Sequence, residues 1–146
     1  MIVSWNSTNK CHLDCPHCYR DAGENLAEEL STDEAYQLLD EIKKAGFKLM
    51  IFSGGEPLLR EDIFQLIAYA SKIGLRPVLG TAGGLIDAKK ADKLKASGLM
   101  AAGISLDSID PEKHNDFRGK KGLFSRVENS FKELQRVNIP FQLHMT

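Results

Sequence analysis

Cysteine is scarce in this chain and confined to one place. All three lie in the run CHLDCPHC, at Cys11, Cys15 and Cys18. An odd number at such tight spacing argues against a disulfide framework, because a pair would close a strained, very short loop. An excess of charge of one sign is missing as well: 19 Lys and Arg stand against 20 Asp and Glu, a net charge of -1. The basic residues are interspersed with carboxylates along the predicted helices, which removes the cationic footprint a nucleic-acid partner would require. Long apolar runs are also lacking. Residues 1–5, Met-Ile-Val-Ser-Trp, show no basic region followed by an extended hydrophobic stretch, so neither an export signal nor a membrane span is expected. Free thiols then point to a reducing, cytoplasmic setting. With 146 residues, of which 42% are hydrophobic, one globular unit with its own core is expected.

What the chain does have is a repeated sentence of strand and helix. Residues 2–5 predict a short buried strand leading straight into the cysteine loop. Ser31 and Glu34 then form a capping box, and Ala35, Leu38, Leu39, Ile42 and Ala45 recur at helical spacing until Gly46. Residues 49–52, Leu-Met-Ile-Phe, suit a parallel strand covered on both faces. Ile63, Leu66, Ile67 and Ala70 predict a helix ending at Gly74, followed by a strand at 77–79. Ala88, Ala91 and Leu94 predict the next, ending at Gly98 before a strand at 101–106. Phe124, Val127, Phe131 and Leu134 predict the last, ending at Asn138 before a strand at 139–145. Gly and Asn adopt the left-handed conformation that closes a helix most cheaply. An extra turn is expected at Asp110-Pro111.

The order β(αβ)4 is an α/β class, with parallel strands joined by right-handed crossovers in a doubly wound sheet or a βα barrel. In either architecture ligands bind beyond the carboxyl ends of the strands. The cysteine loop and the segments 53–57, 80–84 and 105–108 all fall there. No covering helix follows the strand that ends near Thr146, so the chain reads as part of a longer protein. Three thiolates are one short of the four that usually hold a four-iron cubane, which leaves one iron open to a ligand that is not protein. A zinc site of Cys3His type is the alternative, drawing on His12 or His17, with His114 and His144 isolated further along.

The motif Cys-x3-Cys-x2-Cys after the first strand, followed by Gly54-Gly55-Glu56-Pro57 after the second, resembles the radical S-adenosylmethionine (SAM) enzymes. The resemblance runs through the whole chain. It implies a partial βα barrel in which Cys11, Cys15 and Cys18 hold a [4Fe-4S] cluster and SAM chelates the open iron through its amino and carboxylate groups. It places Gly54, Gly55 and Glu56 at the methionyl amino group, where glycine permits close backbone approach and Glu56 offers a charge-assisted acceptor. Ser105 and Asp107 would meet the ribose and methionine portion, Arg118 would pair with the SAM carboxylate, and His17 would pack near the adenine. One departure stands out: relatives often carry Thr-Asn-Gly where this chain has Thr81-Ala82-Gly83, so an amide is missing and Thr81 is the loop's polar side chain.

The resemblance further implies a reduced electron donor such as flavodoxin or ferredoxin. Residues 1–146 would be the amino-terminal portion of the core domain, with the closing strand, the last helix and any auxiliary-cluster domain beyond them. Segments 4–9, 18–23, 51–60 and 103–108 look like the enzymes of the heme and heme d1 pathways, and within them are most similar to the 12,18-didecarboxysiroheme deacetylases. That similarity implies removal of acetate side chains from an iron tetrapyrrole. SAM-dependent heme synthases and radical SAM peptide maturases are the neighbouring readings, and a zinc-binding interaction module is the reading from a different class.

Overall fold

The computed structural model describes residues 1–19, 22–23 and 28–145. Arg20 and Asp21, in one of the segments shared with the heme-pathway enzymes, and the terminal Thr146 lie outside the described residues. The elements run β1 (Ile2–Thr8), α1 (Thr32–Lys44), β2 (Leu49–Gly54), a 3-10 turn (Pro57–Leu59), α2 (Ile63–Lys72), β3 (Arg76–Thr81), α3 (Ala88–Ala96), β4 (Ala101–Ser105), α4 (Pro111–Phe117), α5 (Leu123–Arg136) and β5 (Phe141–His144).

All neighbouring strands pair in parallel, and their order across the sheet is β1-β2-β3-β4-β5. That order decides between the two architectures open to the sequence. A doubly wound sheet reverses its strand order part-way, whereas a sheet that advances one strand at a time is an arc of a βα barrel. Successive right-handed crossovers then lay every helix on the same side. Met50, Phe52, Leu79, Ala102 and Ile104 point to that side and are buried with Leu39, Leu66, Leu94 and Leu134 of the helices. The opposite face is a concave trough lined by Ile2, Leu49, Ile51, Val78 and Ala101.

The local signals act as their chemistry requires. Ser31 accepts from the Glu34 amide while the Glu34 carboxylate accepts from the Ser31 amide at 2.8 Å, closing the capping box of α1. The residues expected to end the four long helices all have positive φ: Gly46, Gly74 and Gly98 at 84°, 79° and 78°, and Asn138 at 53°. Several details differ from expectation. The first strand runs on to Thr8, and Ile2 and Ser4 in the stretch expected to be buried are exposed. The 49–52 strand is covered by helices on one face only, leaving Leu49 and Ile51 half-buried in the trough. Ala45, at the C-cap of α1, and Ala88, at the first position of α3, face solvent outside the buried stripes. The turn at Asp110-Pro111 is the capped start of α4, whose seven residues bury only His114 and so carry no apolar stripe to read. The last strand starts at Phe141, because Ile139 donates back to the Leu134 carbonyl at 2.9 Å in the turn closing α5, and Pro140 has no N–H. Among the described residues no helix is long and apolar enough to cross a membrane.

Candidate functional site

The cysteines lie on the loop after β1, which is gripped from two sides. On the first, the amides of Gly55 and Glu56 donate to the carbonyls of Thr8 and Lys10 at 2.9 and 2.8 Å. The backbones meet so closely that a Cβ at Gly55 would stand 2.4 Å from the Lys10 oxygen. On the second, Gly119 presses on the same loop, and a Cβ there would stand 2.6 Å from the Asp14 oxygen. Within the loop, the Cys18 amide donates to the Cys15 carbonyl at 3.0 Å, a tight turn with Pro16 at the position where its fixed φ is favourable. Glu29 braces the entrance, accepting from the Thr8 hydroxyl at 2.8 Å and the Asn9 amide at 2.7 Å.

Cys11, Cys15 and Cys18, all partly exposed, line one cavity of about 380 Å³ together with Gly54, Gly55, Ser105, Arg118 and His17. His17 lies stacked on Phe117 at 4.3 Å between ring centroids, a packing role that leaves it on the cavity wall. Two expected site residues are placed otherwise. The Glu56 carboxylate is fully buried and accepts from the Thr81 hydroxyl at 2.8 Å, the Ala82 amide at 3.0 Å and the Leu58 amide at 3.2 Å. It ties the β2 loop to the β3 loop instead of lining the cavity, which leaves the backbone of Gly54 and Gly55 as the lining portion of that motif. Asp107, with 5% of its side chain exposed, turns inward to bind the Arg118 Nε at 2.6 Å. Ser53 and Gly80, which the sequence placed in the segments at the ligand end without assigning them to the site, and Gly103 and His144, which it missed, also line the cavity. Gly80 and Gly103 pair across β3 and β4, and glycine inside a strand was the available signal of a close approach. At Gly103 a Cβ would stand 2.7 Å from the His144 ring.

Burial dominates the electrostatics. It pushes the Glu56 carboxyl above its ordinary 4.5, with the bonds from Thr81, Leu58 and Ala82 working against it. It also raises the Cys11 and Cys15 thiols, and the Arg118 guanidinium beside Cys15 opposes that rise. His114 is fully buried, accepts from the Asp107 amide through Nδ1 at 3.3 Å, and is held below its ordinary 6.5 chiefly by burial, hence neutral at pH 7.

Three thiols around one cavity suit a cluster, whose ligands bind separate irons. Among the described residues no group of three or more His, Cys, Asp or Glu side chains is arranged to hold a single metal ion.

A family model described as the radical SAM superfamily matches residues 5–146. The chain belongs to that superfamily. Membership implies SAM and an iron-sulfur cluster as the cofactors of this radical SAM chain. The AdoMet-dependent heme synthase of Methanosarcina barkeri is 38% identical, over 99% of this chain and 42% of that protein. The Fe-coproporphyrin III synthase of the same organism is 42% identical, over 99% of this chain and 36% of that protein. The pre-heme d1 synthase of Dinoroseobacter shibae is 34% identical, over 99% and 36%. These names belong to the heme and heme d1 group whose motifs the sequence shares, and the chain spans about two fifths of the length of these curated relatives. Among solved structures, anSMEcpe with bound AdoMet aligns at TM-score 0.79 and 22% identity, covering 97% of this chain and 42% of the other. Streptococcus suis SuiB bound to S-adenosylmethionine aligns at 0.84 and 18%, covering 97% and 33%. At those identities the likeness establishes the partial barrel.

Proposed function

We propose that this chain is the SAM-cleaving core of an enzyme that removes acetate side chains from an iron tetrapyrrole, in the manner of a 12,18-didecarboxysiroheme deacetylase. One observation carries the reading: the three cysteines share a single cavity with the Gly54-Gly55 backbone, Ser105 and Arg118, at the carboxyl ends of parallel strands. Cys11, Cys15 and Cys18 would hold a [4Fe-4S] cluster. Bound there and reduced, it would supply the one-electron chemistry of reductive SAM cleavage, the source of the 5′-deoxyadenosyl radical that this class of enzyme directs at a substrate carbon–hydrogen bond.

The chain's own residues do the positioning. Gly54 and Gly55 let the backbone approach the methionyl amino group, Arg118 offers a guanidinium to the methionyl carboxylate, and Ser105 offers a hydroxyl to the ribose. Glu56 contributes at one remove, by fixing the two loops that flank the cavity. Below them the apolar trough leads away from the cavity, and His144 borders both. Such a wall excludes water from the reacting centre and aims the substrate.

The substrate reading rests on the shared segments and on a 42% identical relative named for an iron coproporphyrin. A heme synthase reading, oxidative decarboxylation of coproheme propionates, is favoured by relatives of that name at 38%, 39% and 36% identity. A reduced flavodoxin or ferredoxin in the cytoplasm would supply the electron. The test is anaerobic reconstitution with iron and sulfide, followed by SAM, dithionite and each tetrapyrrole in turn. Formation of 5′-deoxyadenosine with acetate release from 12,18-didecarboxysiroheme is expected. Carbon dioxide from coproheme instead transfers the assignment to the heme synthases, and stoichiometric zinc without cluster uptake overturns both.

A further inference from the structure

The segment that follows α4 reaches back across the chain to a cysteine sulfur. The Arg118 Nη1 donates to the Cys15 Sγ at 3.9 Å, and the Cys15 thiol donates to the Arg118 carbonyl at 3.8 Å, contacts that join positions 103 apart. The guanidinium is held rigidly. Its Nε is bound by the Asp107 carboxylate at 2.6 Å, and the two side chains keep only 11% and 5% of their surface exposed. The Asp107 amide is anchored in turn on the buried His114. Gly119 adds an independent fix, since its backbone lies against the Asp14 carbonyl one residue before Cys15. A solvated arginine needs none of this.

We propose that the Asp107–Arg118 pair sets the reduction potential of the cluster carried by Cys15: Arg118 donates to the ligand sulfur, and Asp107 is the positioning residue that aims it. The inference rests on the cluster reading above. Reduction takes one electron from the external donor and transfers no proton, so the cluster and its thiolates gain one negative charge. Hydrogen bonds to cluster sulfurs are among the factors that set such potentials, and a donor carrying full positive charge makes a stronger bond to an anion than a neutral one. Arg118 therefore favours the reduced state and raises the potential. The carboxylate of Asp107 opposes part of that effect while it fixes the geometry, so the pair presents its positive end to the sulfur.

The opposed charges give the test its sign. Reconstituted chains are titrated with dithionite under EPR detection without SAM, so that any contact of Arg118 with the SAM carboxylate plays no part. Arg118→Gln should take up the same iron and lower the midpoint potential by about 59 mV or more, a tenfold change in the one-electron equilibrium. Arg118→Lys should fall between it and the parent. Asp107→Asn keeps an acceptor for the guanidinium but removes the opposing charge, and should shift the potential upward. Arg76→Gln, on β3 at the far end of the sheet, should leave it unchanged. Equal potentials in the parent, Arg118→Gln and Asp107→Asn chains at full iron content would overturn the inference while leaving the cluster reading intact. Shifts of the same sign in both variants would reduce the pair to a latch on the loop and overturn it too. If Arg118→Gln loads no cluster, the signs of Arg118→Lys and Asp107→Asn decide in its place. A parent chain that takes up no cluster sinks the cluster reading itself.

Discussion

Gly55→Ala isolates the grip on the cysteine loop. Gly55 is not among the positive-φ glycines, so alanine meets no backbone strain there and the whole effect comes from collision. The added Cβ would stand 2.4 Å from the Lys10 oxygen, where real contacts essentially never fall below 3.0 Å, so the loop must retreat by 0.6 Å or more. Neither neighbour can rotate away, because the clashing atom is backbone. The retreat strains two hydrogen bonds, Gly55 to Thr8 and Glu56 to Lys10, each contributing about 1 kcal/mol net. Overpacking adds about 1–3 kcal/mol. With the two bonds weakened by about half rather than lost, a loss of about 2–4 kcal/mol is expected, against about 5–15 kcal/mol for a domain of ordinary stability, so the variant folds but with a displaced loop. Urea unfolding of the metal-free chain measures the first effect, and iron content after anaerobic reconstitution measures the second. Gly23→Ala is the control, since a Cβ there meets nothing within 4 Å among the described residues. A Gly55→Ala chain within about 0.5 kcal/mol of the parent and with full iron content would refute the argument.

Other perturbations probe the remaining parts. Folding raises the Glu56 pKa by burial, so the folded chain keeps that proton longer than the unfolded one, and stability falls as pH rises from about 4.5 through the raised value. Glu56→Gln should remove that component, which urea midpoints of both chains from about pH 4 to about pH 8 will read; parallel curves would contradict it. Arg60 binds Asp62 at 2.7 Å, donates to the Ser7 and Leu30 carbonyls at 2.7 and 2.8 Å, and lies 5.3 Å from the Trp5 ring centroid. Arg60→Ala should therefore cost about 3 kcal/mol, as breaking a buried pair does, and a denaturation loss below about 1 kcal/mol would show the network to be idle. Cys15→Ala should abolish 5′-deoxyadenosine formation with circular dichroism unchanged, and retained SAM cleavage would show that Cys15 holds no cluster.

Much of the architecture was legible because periodicity and helix closure act locally. The Ser31–Glu34 box, the stripe of α2 and the positive φ at Asn138 each depend on a few adjacent residues. The cysteine motif was legible too, since its spacing is the signal. What could not be read was which way a carboxylate turns. Glu56 and Asp107 sit in polar loops that suit ligand contact, yet Thr81 and Arg118, 25 and 11 positions away, draw them inward. Those partners are fixed by the register of β2 with β3 and by the path of α4, a helix too short to announce itself. Thr81, the polar side chain left in the Thr81-Ala82-Gly83 loop, is itself spent on Glu56, and the backbone amide of Ala82 joins it there.

The two-sided grip on the cysteine loop also has a timetable. During synthesis from the amino terminus, the loop emerges before either of its clamps. The Gly55 side arrives with β2, but the contact between Cys15 and Arg118 awaits the next 103 positions. Until then the thiols are open to oxidation or to a stray ion. Metal loading of a nascent chain stalled before α4 should thus be less selective than loading of the released one, which makes assembly late in translation the safer course for this protein.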